Sequence, residues 1–196
     1  SVKAGLKVVD LESRREPIPA RLRLLRTLAS LLTFRPLLDR VGCARMVSAY
    51  TGGHPISPEV IRFFRAIGLN LKQCYGLTEA GGIFQVQPDG EFKLETVGKP
   101  LPGTEVRLSP DQEVLVRSDA VFAGYYNDYQ ATEGAFTDGW LKTGDAGYID
   151  GDGHLLIIGR KEDIIRNKQG AAFSPDFIET RLKFSPYIKE AVVFGE

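Results

Sequence analysis

Hydrophobic positions near the start of the chain repeat at helical spacing. Residues 21–32 read RLRLLRTLASLL, with arginines between the leucines. The leucines that define the repeat are Leu25, Leu28 and Leu32. The pattern predicts a basic amphipathic helix that covers a core with its leucines and keeps its arginines in water. Contact of the helix with an anionic membrane surface is the alternative interpretation.

The next segment combines two short apolar runs with a helix between them. Arg45–Tyr50 and Leu69–Cys74 are apolar enough for strands. Ser57 supplies an N-cap oxygen, Pro58 suits the first helical position, and Gly68 ends the helix. The apolar stripe of this helix consists of Val60, Phe63, Phe64 and Ile67. This strand–helix–strand order predicts an α/β layer with a parallel sheet.

From Gly98 onward, short strands are separated by turns. The predicted strands are Glu105–Leu108, Glu113–Arg117, Gly147–Ile149 and Leu155–Ile158. Asp150–Gly153 reads as the hairpin loop between the last two. This spacing predicts a small antiparallel barrel or sheet. After Gly159 the sequence becomes polar, and a new helix is expected from Ser174–Pro175, which indicates a linker into a further domain.

Composition narrows the function classes. The 25 basic residues balance the 25 acidic ones, so attraction of the whole chain to nucleic acid is not expected. Cys43 and Cys74 form no CxxC pair, which argues against a disulfide scaffold or a cysteine zinc site. No apolar run is long enough for a membrane span. We therefore expect a cytoplasmic protein, with peripheral membrane contact as the variant of that expectation.

Three polar segments carry residue types that suit nucleotide chemistry. Tyr75–Glu79 (YGLTE) follows a predicted buried strand and offers a ring for a base, a hydroxyl for a phosphate oxygen and a carboxylate for Mg²⁺. In Gly139–Asp145 (GWLKTGD), the Asp145 carboxylate can accept two hydrogen bonds from a sugar diol. Gly159–Asp163 (GRKED) follows. Taken singly, each segment also reads as an ordinary polar turn or a solvated linker, and no P-loop or GxGxxG fingerprint is present.

Taken together and in order, these segments resemble the core motifs of the acyl-adenylate-forming (AMP-binding) superfamily. The matching stretches are Thr51–Pro55, Tyr75–Glu79, Val121–Tyr126, Gly139–Asp145 and Gly159–Gly170. The text around Arg62–Glu79 and Val97–Leu108 is most similar to the long-chain fatty acid–CoA ligase branch. The resemblance implies part of the α/β adenylation core over 1–97, an antiparallel β subdomain over 98–159, and the hinge and start of an α+β lid over 160–196.

The resemblance also implies a reaction. A fatty acid carboxylate attacks the α-phosphorus of ATP, pyrophosphate leaves, and coenzyme A then displaces AMP from the acyl-AMP. Thr78 and Glu79 take the catalytic positions, and Glu79 holds Mg²⁺. The cofactor-binding positions are Gly52, Gly53, His54, Gln73, Tyr75, Gly76, Thr78, Asp145 and Arg160. Within this set, Tyr75 stacks on adenine while Asp145 and Arg160 bind the ribose. Glu162 is the hinge, and Gly170 borders the coenzyme A tunnel.

The chain departs from the superfamily pattern in three places. The Ser/Thr/Gly-rich phosphate loop and the lid lysine are not found, so we expect an internal segment of a longer ligase that is inactive alone. Gln112 stands where a glycine is usual. Two other functions are left open: a non-catalytic nucleotide-binding module, and a fatty acyl-AMP ligase that delivers to a carrier protein.

Overall fold

A computed structural model describes residues 2–54, 56–166, 172–183, 185 and 187–194. The chain divides into two compact units. The first unit comprises Ser1–Cys74 with Gln87–Thr96, and the second comprises Tyr75–Val86 with Val97–Glu196. The helices that the structure describes include none that is long and apolar enough to cross a bilayer.

Helices dominate the first unit. Its elements are α1 (Val2–Ser13), α2 (Ala20–Ala29), α3 (Arg35–Arg40), β1 (Ala49–Thr51), α4 (Pro58–Ala66) and the first part of β2 (Leu71–Leu77). Its core joins α1 to α4, where Val9 and Ile61 are fully buried. Beside this core, Arg62 Nε and Nη2 donate to the two Asp10 carboxylate oxygens at 2.6 and 2.5 Å. The Arg62 guanidinium lowers the pKa of Asp10.

The leucine-rich helix buries a different face from the one expected. A π-helical segment, Ser30–Phe34, joins α2 to α3. On the two sides of and within this segment, the buried residues are Ala29, Phe34 and Leu38, which pack with Ile67 and Leu69. The prediction that the leucine repeat covers a core is therefore wrong for this unit. The exposed fractions are 46% for Leu25, 46% for Leu28 and 78% for Leu32.

The predicted order of strand, helix and strand is confirmed, including the parallel pairing of β1 with β2. The first strand begins at Ala49 rather than at the predicted Arg45. Ser57 Oγ accepts from the Glu59 backbone N–H at 3.2 Å and caps α4. Gly68 follows the helix with φ of +103°, a conformation that glycine adopts without strain. The predicted stripe is only partly correct. Val60 and Phe63 are exposed, whereas Ile61 and Ala66 are fully buried.

Strands dominate the second unit. Its elements are the end of β2, β3 (Gly82–Val86), β4 (Lys99–Pro100), β5 (Glu105–Leu108), β6 (Glu113–Arg117), α5 (Tyr129–Gly134), β7 (Phe136–Thr137), β8 (Trp140–Ile149), β9 (Leu155–Arg160), β10 (Ile165–Arg166), β11 (Ala172–Phe173) and α6 (Pro175–Lys183). β5 and β6 have the predicted bounds. β8 pairs antiparallel with β6, β7 and β9. This sheet is open, so the predicted barrel is corrected to a five-stranded antiparallel sheet.

The turn between β5 and β6 contains a non-glycine residue in the left-handed region. Gln112 has φ of +68°. Its backbone is fixed on both sides, because its N–H donates to Ser109 O at 2.9 Å and its carbonyl accepts from Gly147 N at 3.0 Å. A β-carbon is unfavourable in this conformation. The departure from the usual glycine at this position therefore has a conformational cost.

Gln112→Gly should raise the free energy of unfolding by about 1 kcal/mol, because glycine adopts a positive φ without the penalty of a β-carbon. Urea unfolding followed by circular dichroism measures the change. Gln112→Ala keeps the β-carbon and serves as the control. Equal midpoints for the glycine and alanine variants would contradict a conformational cost at this position.

Gly76, near the end of β2, lies against the start of β3. A β-carbon built on Gly76 would overlap the Gly82 carbonyl oxygen and lie 2.6 Å from Ile83 Cα. Both of these are backbone atoms, which cannot be moved aside as a flexible side chain can. Packing against β3 therefore accounts for a glycine at this position. The expected access of a ligand to the Gly76 backbone stays a prediction.

Gly76→Ala should lower the free energy of unfolding by at least about 3 kcal/mol, since β3 would have to move away from β2. Gly151→Ala is the matched control, because nothing lies within 4 Å of a β-carbon at Gly151. Thermal and urea unfolding of both variants test the difference. A Gly76→Ala chain as stable as the control would show that the two strands are not in close contact.

Candidate functional site

Tyr75 links β2 to the Asp145 carboxylate in the second unit. Its hydroxyl donates to Asp145 Oδ2 at 2.6 Å, and its ring meets the Phe84 ring edge to face, with centroids 5.1 Å apart. Burial raises the pKa of Tyr75 well above its ordinary value, and the adjacent Asp145 carboxylate raises it further. Tyr75 therefore remains a neutral hydrogen-bond donor at physiological pH.

The Asp145 carboxylate also contacts a cation. Asp145 and Arg160 are register partners in β8 and β9, and Arg160 Nη1 lies 3.3 Å from Asp145 Oδ1. The Asp145 side chain is 17% exposed, whereas that of Arg160 is 61% exposed. Each carboxylate oxygen thus has one protein partner, and ionised carboxylate oxygens can accept further hydrogen bonds. A vicinal diol suits such an acceptor.

The residues before Asp145 fix the direction of its backbone. Thr143 Oγ1 donates to Val114 O at 2.8 Å and accepts from Asp145 N at 3.1 Å. Gly144 has φ of +71°, and its N–H donates to Glu113 Oε1 at 3.1 Å. Sequence reasoning missed the roles of Thr143 and Glu113. Thr143 lies inside a recognised motif, whereas Glu113 gave no local signal because its contacts are distant in sequence.

Thr78 and Glu79 lie in a short 3-10 turn, Thr78–Ala80, that follows β2. Thr78 is exposed. The Glu79 carbonyl accepts from Phe122 N at 2.8 Å, and its Oε1 accepts from the Tyr125 hydroxyl at 2.9 Å. The hydrogen bond to Glu79 raises the pKa of Tyr125. Tyr125 belongs to a recognised motif, but its contact with Glu79 was not predicted.

The Glu79 carboxylate fits the type of magnesium site in which phosphates supply the other ligands. Its protein hydrogen bond ends on Oε1. Within the described part of the chain, no group of three or more His, Cys, Asp or Glu side chains is placed to hold a metal ion. Mg²⁺ commonly binds through one or two carboxylates together with substrate phosphates. Glu79 is compatible with that arrangement.

The first unit holds four of the predicted residues. A β-carbon on Gly52 would lie 2.8 Å from Cys74 Sγ, and Gly53 has φ of +84°. His54 is exposed. Gln73 Nε2 donates to Leu94 O at 3.0 Å and Thr96 O at 3.4 Å, so this amide nitrogen holds a neighbouring segment of its own unit. The predicted contacts of these four residues with adenine stay predictions.

The predicted hinge residue, Glu162, is exposed in a 3-10 turn, Lys161–Asp163, that follows β9. The preceding Lys161 places its Nζ 2.7 Å from Glu113 Oε2 and 2.6 Å from Asp111 Oδ2. The predicted coenzyme A tunnel residue, Gly170, lies outside the described residues. The second unit thus places Asp145 in direct contact with Tyr75 and with Arg160, and it holds Glu79 against Tyr125.

Curated relatives of the chain include fatty-acid–CoA ligases. The chain is 42% identical over 165 residues to the long-chain-fatty-acid–CoA ligase FadD15 of Mycobacterium bovis, covering 84% of this chain and 27% of that protein. It is 33% identical over 184 residues to long chain acyl-CoA synthetase 1 of Arabidopsis thaliana, covering 86% and 28% respectively. The chain therefore spans little more than a quarter of the length of these relatives.

Solved structures of adenylate-forming enzymes share the fold. The o-succinylbenzoate CoA synthetase of Bacillus subtilis, in complex with its acyl-adenylate intermediate, matches with a TM-score of 0.70 and 31% identity over 83% of this chain and 36% of that one. The same enzyme in complex with ATP and magnesium ion matches with a TM-score of 0.65 and 30% identity over 83% and 37%. Residues 12–126 match the family described as AMP-binding enzyme. This chain belongs to the AMP-binding enzyme family.

Proposed function

We propose that this chain contributes nucleotide- and metal-binding residues to an acyl-CoA synthetase that activates a long-chain fatty acid with ATP. The arrangement that carries the proposal is the Asp145 carboxylate held between the Tyr75 hydroxyl and the Arg160 guanidinium. The names of the relatives support the ligase class and the fatty acid substrate. The chain alone is not expected to complete the reaction.

The proposed reaction has two steps. The fatty acid carboxylate attacks the α-phosphorus of ATP, the bond to the β-phosphate oxygen breaks, and pyrophosphate leaves with that electron pair. The coenzyme A thiolate then attacks the acyl carbonyl, and AMP leaves from the tetrahedral intermediate. Negative charge develops first on the transferring phosphate oxygens, and catalysis requires donors fixed near them. Thr78, exposed at the start of its turn, supplies a hydroxyl donor for that role.

Nucleoside binding follows from the contacts of Asp145. Its two oxygens accept hydrogen bonds from the ribose 2′- and 3′-hydroxyls, and Arg160 limits the repulsion between the carboxylate and the phosphates. The Tyr75 hydroxyl fixes the position of its own ring, which stacks on adenine in this proposal. Gly52, Gly53, His54 and Gln73 are proposed to contact the edges of the base.

Glu79 is the proposed magnesium ligand. A bound Mg²⁺ neutralises phosphate charge and polarises the phosphoryl oxygens. Tyr125 donates to Oε1 of this carboxylate and limits the orientations that the side chain can adopt. The backbone bond from Phe122 N to Glu79 O holds the same residue at a second point. The protein therefore prepares one carboxylate in a fixed direction before the metal and its phosphates arrive.

Glu162 is proposed as the hinge between the two half-reactions, and coenzyme A as the acceptor of the acyl group. A fatty acyl-AMP ligase that delivers to a carrier protein would use the same adenylation chemistry. A non-catalytic nucleotide-binding module would need only the ribose-binding contacts. Peripheral membrane contact by the exposed leucines of α2 stays a prediction from the sequence.

Loss of the Asp145 carboxylate should weaken binding of a non-hydrolysable palmitoyl-adenylate mimic by at least about tenfold, since each hydrogen bond to a charged group is worth roughly 1.5–3 kcal/mol. Isothermal titration calorimetry of the native and Asp145→Ala chains measures this loss. Asp119→Ala removes an exposed carboxylate and should bind as the native chain does. Circular dichroism checks that both variants remain folded.

Saturable binding by the native chain that is lost in Asp145→Ala supports the proposed nucleotide site. Equal affinities for the native and Asp145→Ala chains would exclude Asp145 as the ribose contact. Competition between coenzyme A and a phosphopantetheinylated carrier protein, measured with the complete ligase, then separates the two acceptors.

A further inference from the structure

We propose that the buried Glu113 carboxylate and the Lys161 ammonium form a clamp that positions the proposed nucleotide-binding pair of Asp145 and Arg160. The clamp also holds the chain immediately before the proposed hinge residue, Glu162. This inference rests on the proposed function, because it assigns positioning residues to the same site. Neither Glu113 nor Lys161 contacts the nucleotide in this proposal.

Glu113 is a charged side chain that folding removes from water. Its side chain is only 6% exposed, at the start of β6, where the next three residues are also buried. Burying a carboxylate is costly unless it is paired and hydrogen-bonded. Both of its oxygens have partners: Oε1 accepts from Gly144 N at 3.1 Å, and Oε2 accepts from Lys161 Nζ at 2.7 Å.

The two partners of Glu113 flank the nucleotide-binding pair. Gly144 immediately precedes Asp145, and Lys161 immediately follows Arg160. The Asp145–Arg160 register pair is the terminal pair of the β8–β9 ladder, at the end opposite the Ile149–Leu155 pair. Strand ends open more readily than strand centres. The buried Glu113 carboxylate therefore holds both β8 and the residue after β9 at the end of the ladder that carries Asp145 and Arg160.

A second acidic residue fixes the Lys161 ammonium. Asp111 Oδ2 lies 2.6 Å from Lys161 Nζ, and Asp111 Oδ1 accepts from Ser109 Oγ at 2.5 Å. Hydrogen bonds from Lys161 and Ser109 lower the pKa of Asp111 to about 2. The hydrogen bonds to Asp111 and Glu113 raise the pKa of Lys161. Asp111 and Lys161 are thus both charged at neutral pH.

The position of Lys161 gives the clamp a role in lid rotation. Lys161 begins the 3-10 turn that contains Glu162, and its two carboxylate partners lie on β6 and the turn before it. Rotation at Glu162 therefore leaves Arg160 and Lys161 attached to the five-stranded sheet. The ribose contact is preserved while the residues after the hinge change position.

The test uses the 196-residue chain with three substitutions. Glu113→Gln and Lys161→Met each remove one charge of the clamp, and Lys161→Arg restores a cation. Glu105→Gln is the matched control, because the Glu105–Arg117 ion pair lies in the same sheet but is exposed. The readouts are AMP affinity by calorimetry and backbone amide exchange at Gly144, Asp145 and Lys161 by NMR.

Loss of either clamp charge should weaken AMP binding by about fivefold or more, which corresponds to the loss of one hydrogen bond of typical net strength. Amide exchange at Gly144 should become faster, while the far-ultraviolet circular dichroism remains native. Lys161→Arg should recover most of the affinity. A chain that carries both Glu113→Gln and Lys161→Met should bind AMP no more weakly than the weaker-binding of the two single variants, because the two charges act as a unit.

Native AMP affinity and native Gly144 exchange in a folded Lys161→Met chain would overturn the proposal. Because the Lys161 side chain is partly exposed, we expect Lys161→Met to fold, so this variant tests the clamp even if Glu113→Gln does not fold. Amide exchange needs no ligand. If the native chain fails to bind AMP, the proposed function is contradicted, while the exchange data still test the clamp.

Discussion

The placement of the Asp145 carboxylate is the constraint on which the functional geometry depends. A mostly buried carboxylate must be compensated, and here a neutral phenol and a guanidinium supply one partner for each oxygen. Removing either partner would leave the charge less well satisfied and free to turn. The pairing thus leaves the Asp145 carboxylate fixed in direction, and its oxygens can still accept hydrogen bonds from a sugar. The close contact of Gly76 with β3 belongs to the same requirement, since it fixes the end of the strand that carries Tyr75.

Two other carboxylates of the second unit to which we assign roles, Glu79 and Glu113, are held in the same way. Glu79 is held at its carbonyl by Phe122 and at its carboxylate by Tyr125. Glu113 uses one oxygen for a backbone N–H and the other for an ammonium. In each case a carboxylate is directed by contacts from elements distant in sequence. In the proposed function, such preorganisation lowers the cost of orienting these charged groups toward a nucleotide and its metal.

Short stretches of sequence predicted the features that depend on neighbouring residues, such as helix ends and strand bounds. Short-range propensities predicted the Ser57 cap, the Gly68 helix end and the bounds of β5 and β6. Recognised stretches of sequence identified the motif positions of Tyr75 and Asp145. The π-helical segment after α2 was missed because the leucine spacing was interpreted as a regular α-helix throughout. The predicted barrel failed for a related reason: short strands and turns specify pairing between neighbours but not closure of the sheet. The contacts of Tyr75, Glu113 and Tyr125 join residues far apart in sequence, and no spacing rule identifies them.

We propose that Asp145 recognises a ribose diol, and removing the two hydroxyls from the ligand tests this recognition. Calorimetric titration of the native chain with AMP and with 2′,3′-dideoxy-AMP compares two nucleotides that share the base and the phosphate. We expect saturable binding of AMP and binding of the dideoxy nucleotide that is weaker by at least about tenfold, because the carboxylate loses two hydroxyl donors. Equal affinity for the two nucleotides would contradict it.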